Sequence, residues 1–439
     1  MTRMDELVRL MKELEDQLVV CMRCGMCQAV CPLYAQTGKE SDVARGKLAL
    51  LDGLMKSMFD DPEGVAKRLN KCLLCGSCAA NCPSGVKVLD IFMKARAIIA
   101  GYMGLSPAKR LILQGMLAHP ELFDKMVEWG AKFQGILTRP VNDVVGTSCA
   151  RIVSPLLSDR HFKTLSAHPF HERVPSLDTP AGKSGIRVAF FSGCLLDKLF
   201  PQVAEAVIRV LNHHGVGIFM PQGQGCCGIP AVSSGDMASF HKLVRHNLDR
   251  FESGKWDYLI TACATCTSTL KKVWPALVED DSTGIRERVN ALAEKTMDIS
   301  ELLVSVLKVP LKTNSGSGAA VTYHDPCHLK KSLGVAAQPR ALIRAAGGYR
   351  LVEMAEPDAC CGMGGSFNLQ YYDLSAKIGK KKRDQIAATE ASVVATGCPA
   401  CMMQISDMLS QAGDAVAVRH FIEIYAGSLA AITYISNLK

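Results

Sequence analysis

The chain has 439 residues, 48% of them hydrophobic and 21% charged, with 19 cysteines and a formal charge of +8. At roughly 100–200 residues per domain this predicts two to four domains, each burying its own core, and it excludes wholesale disorder. The charge alone is a weak argument for nucleic acid, and no nucleic-acid partner is expected: two all-thiolate cubane clusters would lower +8 to about +4. Met1 to Glu15 is charged and amphipathic, with no apolar core or cleavage site, so a secretory signal is not expected and the location is read as cytoplasmic. In that compartment the cysteines point to metal ligation rather than to a disulfide framework.

The first cysteine group is a repeated run. Cys21, Cys24, Cys27 and Cys31 precede Pro32, and Cys72, Cys75, Cys78 and Cys82 precede Pro83. Both fit C-x2-C-x2-C-x3-C-P, the bacterial ferredoxin run for [4Fe–4S] clusters. Three thiolates on a short winding loop cap three corners of a cube, and the cysteine before proline serves the other cube. The expected sets are Cys21, Cys24, Cys27 with Cys82, and Cys72, Cys75, Cys78 with Cys31. Paired zinc sites have no use for a four-cysteine run ending in proline. Between the runs, Val43, Leu48, Leu51, Leu54 and Met55 have helical spacing, with Ser41 or Asp42 as the expected N-cap. Residues 1–100 therefore read as a helical ferredoxin domain. Ser106-Pro107 predicts a further helix start, and residues 101–184 read as a helical segment followed by a connector.

The second group is a tandem repeat. Cys194, Cys226-Cys227-Gly228, Cys263 and Cys266 return as Cys327, Cys360-Cys361-Gly362, Cys398 and Cys401, at offsets of 133 to 135 residues. Apolar runs that look like buried strands lead to these cysteines (IRVAFFSGC, DYLITAC, AAVTYHDPC, ASVVATGC), and helical stretches such as PQVAEAVIRVLNHHG follow. Alternation of this kind predicts two α/β units, residues 185–312 and 318–439, with mainly parallel sheets and ligands beyond the strands' carboxyl ends. Thr313 to Gly318 reads as the linker between them. Each unit has five cysteines, one too many for a cubane or a zinc site; adjacent Cys-Cys reaches two neighbouring irons, and the next glycine permits close backbone approach. Cys149 is left over as a buried or unreactive thiol.

Together these motifs resemble the iron–sulfur subunit family of glycolate oxidase and D-lactate dehydrogenase complexes, built from two ferredoxin motifs and tandem CCG cysteine-rich domains. They also resemble the catalytic subunit of heterodisulfide reductase and the iron–sulfur subunit of anaerobic glycerol-3-phosphate dehydrogenase. The resemblance implies two cubane [4Fe–4S] clusters and one or two further iron–sulfur clusters, of non-cubane [4Fe–4S] type, held by Cys194, Cys226, Cys227, Cys263, Cys266 and by Cys327, Cys360, Cys361, Cys398, Cys401. It implies an oxidoreductase subunit that takes electrons from an FAD-binding hydroxyacid dehydrogenase partner and passes them to a quinone or membrane-linked acceptor. The alternative is disulfide reduction at the CCG sites. The resemblance also leaves open a peripheral seat on the cytoplasmic face of the inner membrane.

Four weaker signals complete the reading. Gly223 to Gly228 formally matches G-x-G-x-x-G, but its paired cysteines belong to the repeat and its second copy loses the glycine spacing, so no dinucleotide site is assigned. His324 and His328 flank Cys327, either donating to a sulfur or making turn and capping bonds. Lys377 to Arg383 (KIGKKKR) reads as a solvated helix face, the alternative being a dock for an acidic partner or a membrane surface. Phe421 to Leu438, interrupted by Glu423, reads as a packed helix rather than an anchor.

Overall fold

A computed structural model describes residues 3–151, 160–278, 284–311 and 318–429. The architecture is an N-terminal helical unit followed by two α/β units.

The N-terminal unit packs helices Arg3–Met11, Ala44–Met55, Pro62–Asn70 and Val88–Met103 around the two cysteine loops. Val43, Leu48, Leu51, Leu54 and Met55 are all buried, as their spacing demands. The helix start differs from expectation. Neither Ser41 nor Asp42 caps it: Val43 holds the N-cap position, and residues Glu40–Asp42 form a tight turn ahead of it. Asp42 is used instead as a buried acceptor, its backbone carbonyl bonded by Lys47 Nζ and its carboxylate lying 3.5 Å from Arg68. Ser106 does cap its helix, accepting from the Lys109 amide.

The stretch read as a connector contains more order than its composition suggests. Strands β1 (Thr138–Asn142) and β2 (Thr147–Ala150) form an antiparallel hairpin. Strand β3 (Leu177–Asp178) joins the edge of the first large sheet, antiparallel to its neighbour. Pro140 in one hairpin strand and the short β2 hid the pattern. Cys149 lies buried on this hairpin, its sulfur 3.3 Å from Arg139 Nε.

The first sheet adds β4 (Arg187–Phe190), β5 (Gly217–Met220), β6 (Tyr258–Thr261) and β7 (Thr296–Asp298), in the order β3-β5-β4-β6-β7. The second holds β8 (Ala319–His324), β9 (Tyr349–Leu351), β10 (Val393–Thr396) and β11 (Ala417–His420), in the order β11-β10-β8-β9 and parallel throughout. Without β3 the two orders are the same, so the duplication seen in the cysteines extends to the whole topology. The central strands β4, β6, β8 and β10 are the four runs that lead to cysteines, and their buried Val, Ile, Phe and Tyr side chains fit sheets covered on both faces.

The two α/β units share one core. Val203, Val207 and Val210 on helix Pro201–His213 belong to the same buried cluster as Ile422, Tyr425 and Ala426 on the final described helix, Phe421–Ser428. His214 Nε2 lies 3.1 Å from the Tyr425 hydroxyl, with the two rings stacked. The start of the C-terminal apolar stretch is therefore internal packing; its remainder lies outside the described residues, as does the Thr313 to Gly318 linker apart from Gly318. A second core runs from Leu7 to Leu409 and joins the helical unit to both sheets.

Candidate metal centres

The two ferredoxin-type runs adopt the same backbone. Arg23 and Gly25 have φ of 56° and 87°, and Leu74 and Gly76 have φ of 54° and 73°. Left-handed residues alternating with right-handed ones turn successive amides inward, a concavity suited to an anionic core. Short helices Met26–Ala29 and Ser77–Ala80 then carry the third cysteine of each run. Cys31 lies within electrostatic reach of Cys72 and Cys75, and Cys78 within reach of Cys72, Cys75 and Cys31. Cys27 senses Cys21, and Cys82 sits half-buried against the same core as both. The cysteine before Pro32 therefore lies close to the cysteines of the other loop.

The repeat cysteines collect beyond the carboxyl ends of the strands. Cys263 and Cys398 occupy the N-cap positions of the helices that follow β6 and β10, where the helix dipole favours a thiolate. Gly228 and Gly362, with φ of 91° and 93°, each follow the Cys-Cys pair. The first Cys-Cys loop is tied inward: Asn247 accepts from the Gly225 amide and donates to the Cys226 carbonyl, and Trp274 Nε1 donates to the Cys227 carbonyl at 2.9 Å. The G-x-G-x-x-G look-alike is thus a buried structural loop around two cysteines.

The sulfurs form one unbroken row. Cys194 lies 3.8 Å from Cys226, and Cys361 lies 3.4 Å from Cys401. Between them the pairs Cys226–Cys227, Cys227–Cys266, Cys266–Cys263, Cys263–Cys398 and Cys398–Cys401 are close enough to shift one another's acidity. Beyond Cys361 the row continues through Cys360 and Cys327 to Cys75 of the second ferredoxin loop. All ten repeat cysteines meet across the interface between the two sheets, and one end abuts the helical unit.

The donor set fits iron–sulfur clusters. None of the 19 cysteines is disulfide-bonded. Burial pushes the Cys31 thiol up to about 11, and neighbouring sulfurs hold Cys226, Cys266, Cys360 and Cys401 well above the usual thiol range. Accepting from such neighbours pulls Cys75, Cys227, Cys361 and Cys398 well down, so the crowded sets share thiolate character that a polycationic core would favour further.

The two flanking histidines separate in role. His328 Nε2 faces the Leu74 carbonyl at 3.2 Å, and its Nδ1 faces the Thr265 hydroxyl at 3.1 Å. A carbonyl only accepts, so Nε2 carries the proton and Nδ1 accepts from Thr265. His328 thereby clamps the second ferredoxin loop to the first repeat. His324 is fully buried with Cys361 and Cys401, their ligand atoms all within 4.8 Å, and among the described residues neither ring nitrogen has an oxygen or nitrogen partner. Its imidazole helps lower the Cys361 thiol, after the larger effect of Cys360 and Cys401. Asp325 makes no cap; it pairs with Arg340 at 2.7 and 2.9 Å. In the first repeat the position of His324 is taken by Phe191, packed on Phe251.

Among the buried cations not singled out in the sequence, Lys382 and Arg96 lie beside cysteines. The KIGKKKR run does lie on a helix, Tyr372–Ala387, with Lys377, Lys380 and Lys381 exposed. Lys382 departs from the expected solvated face: it is buried, donates to the Glu356 carbonyl, and lies near Cys361, Cys360 and Cys327, with burial pulling its ammonium down to about 8. Its register with Ser375, Ile378, Gly379 and Ile386 was the available signal. Arg96 donates to the Cys72 and Ser233 carbonyls at 2.8 Å each and to the Leu69 carbonyl.

Comparison with known proteins agrees with this picture. A family described as 4Fe-4S dicluster domain matches residues 17–86, and one described as cysteine-rich domain matches residues 188–271 and 321–406. The chain is 31% identical to the probable glycolate oxidase iron-sulfur subunit of Bacillus subtilis (strain 168), over 92% of each chain. It is 29% identical to a subunit of the fumarate reductase (CoM/CoB) of Methanothermobacter marburgensis, covering 90% of this chain and 68% of that one. Lactate utilization protein A of an Exiguobacterium species is 34% identical, covering 54% of this chain and 96% of that one. The dicluster loops, the duplicated cysteine-rich sheets and a full-length relative place the chain in the family of glycolate oxidase iron–sulfur subunits, the iron–sulfur components of oxidoreductase complexes.

Proposed function

We propose that this chain conducts electrons within a 2-hydroxyacid dehydrogenase complex, from a flavoprotein that oxidises glycolate or lactate to a quinone or another membrane-linked acceptor. The unbroken row of thiols from Cys75 to Cys194 supports this reading most directly. Two cubane sites are assigned to Cys21, Cys24, Cys27, Cys82 and to Cys72, Cys75, Cys78, Cys31. The two five-cysteine sets, Cys194, Cys226, Cys227, Cys263, Cys266 and Cys327, Cys360, Cys361, Cys398, Cys401, are assigned to the further clusters. When bound, these clusters supply one-electron carriers. The protein's part is to hold them close, exclude water with the buried repeat cysteines, and set their charge environment through Lys382, Lys331 and His324. Lys331 lies 2.7 Å from Ser77 Oγ in the second ferredoxin loop and bonds the Asp358 carbonyl beside the second repeat's cysteines.

The test is Cys72→Ser in the intact complex. We expect loss of one cubane's iron and sulfide, a missing EPR signal, and sharply slowed electron delivery to the acceptor, while hydroxyacid still reduces the flavin. Unchanged iron and turnover, or a colourless zinc-containing protein, would overturn the assignment.

A second reading is favoured by one observation: both five-cysteine sets are complete and meet at Cys263 and Cys398. Such a pair suits two-electron cleavage of a disulfide, and turnover of a disulfide by the isolated chain with an artificial reductant would support it.

A further inference from the structure

The Cys194 end of the thiol row opens into a cavity of about 520 Å³, within the usual size of a small-molecule site. Phe123, Phe170, Val174 and Met220 give it apolar walls, and Cys194 and Cys226 also line it. Its polar groups are linked. Lys198, buried, lies 2.8 Å from Asp124 and 2.7 Å from Asp197. His171 is held between Asp197, 2.9 Å from Nδ1, and Glu128, 3.1 Å from Nε2. The bond to Asp197 raises the imidazole's affinity for its proton above the usual. Seating the cysteines requires none of these groups.

Asp124 and Glu128 come from helix Pro120–Leu137, whose opposite side faces solvent. Leu122, Met126, Trp129, Phe133 and Ile136 form one exposed stripe at helical spacing, with Trp129 68% and Ile136 71% exposed. Leu137 at its end and Leu111 and Ile112 on the preceding helical segment are exposed as well. Asp124 and Glu128 turn toward Lys198 and His171, whereas Lys125 and Lys132, next to the stripe in the helix register, are exposed, as is Glu121 in the first turn. An apolar stripe carrying Trp and Phe, edged by cations, is complementary to an anionic lipid surface; a protein interface would be depleted of lysine.

We propose that this cavity receives the head group of a lipid-borne quinone, and that helix Pro120–Leu137 lies on the anionic bilayer that delivers it. The proposal rests on the electron-carrier reading above and locates its exit. Two electrons, supplied by the reduced flavin of the partner and arriving singly at the Cys194 end, reduce the quinone. Each carbonyl oxygen gains one proton and the ring becomes a quinol. The protons leave the linked Lys198, Asp197, His171 and Glu128 network, which is refilled from water, so two electrons and two protons are consumed per quinone.

The experiment uses the full chain, loaded with iron and sulfide and purified without oxygen. It should sediment with phosphatidylethanolamine–phosphatidylglycerol vesicles, with a blue shift in tryptophan emission that Trp129→Phe abolishes. Combining Trp129→Ser with Phe133→Ser should weaken vesicle binding by about tenfold or more. A photoreactive azido-ubiquinone of short chain should label cavity residues. Gln222→Trp, at the cavity lining, should abolish that labelling and slow reoxidation of the reduced chain by ubiquinone at least about tenfold relative to ferricyanide, which takes electrons without protons. Labelling elsewhere would overturn the proposal. So would an unbound wild-type chain, or a Phe133→Ser variant that keeps its vesicle binding and loses its flavoprotein. A chain that takes up no iron would fail the electron-carrier reading itself, while vesicle binding and labelling would still report on this inference alone.

Discussion

Gly362 shows how a single residue holds a cysteine set in place. At φ of 93°, a side chain is strained, and a Cβ here would stand 2.5 Å from the Ser375 carbonyl and 3.1 Å from the Gly379 amide. Gly362→Ala should therefore destabilise the metal-free chain by about 3 kcal/mol, read by denaturant unfolding. Lys382 acts on charge instead. Replacing this buried cation by methionine keeps volume and removes a positive neighbour of Cys360 and Cys361. Lys382→Met should shift one step of an EPR-monitored redox titration to lower potential, with iron content unchanged. The cysteine spacing made the candidate ligands readable directly from the sequence, because metal coordination is written in short intervals along the chain. Lys382 was hidden inside a run of similar charges, and only the helix register against Ile378 and Ile386 distinguishes it from its exposed neighbours.

Between elements, the decisive contacts are long-range and polar. Arg96, on helix Val88–Met103, reaches the Cys72 carbonyl in one unit and the Ser233 carbonyl in another. Arg96→Leu would leave the buried Leu69 carbonyl and the part-buried Cys72 and Ser233 carbonyls without their donor, costing about 3 kcal/mol. Limited proteolysis should then release the helical unit from the α/β units before the latter unfold. Sequence periodicity located the buried faces of helices Ala44–Met55 and Pro201–His213 and the strands before each cysteine. It did not find the β1–β2 hairpin, where a proline and a four-residue partner leave almost no alternation to detect. Nor did it show that Phe421–Ser428 packs on the first unit, since that contact joins residues more than two hundred positions apart and leaves no local trace.

At the scale of the whole molecule, the cores and the thiol row occupy the same interfaces. The sulfurs lie where the helical unit meets the second sheet and where the two sheets meet, so cluster binding is also a bond between units. Ligands that bind only the folded state add to its stability. Stripping iron with a chelator should lower the melting temperature, because the units lose one tie across their interfaces and keep only the shared apolar cores; differential scanning calorimetry of loaded and stripped protein measures this.

The duplicated fold is not a symmetric one. Where the first repeat presents the phenyl ring of Phe191, the second presents the imidazole of His324 beside Cys361 and Cys401. Two identical wells would let charge slosh back and forth between them. With clusters in both repeats, a polarisable, hydrogen-bonding ring on one side and hydrocarbon on the other would make the wells unequal and give the traffic a preferred heading.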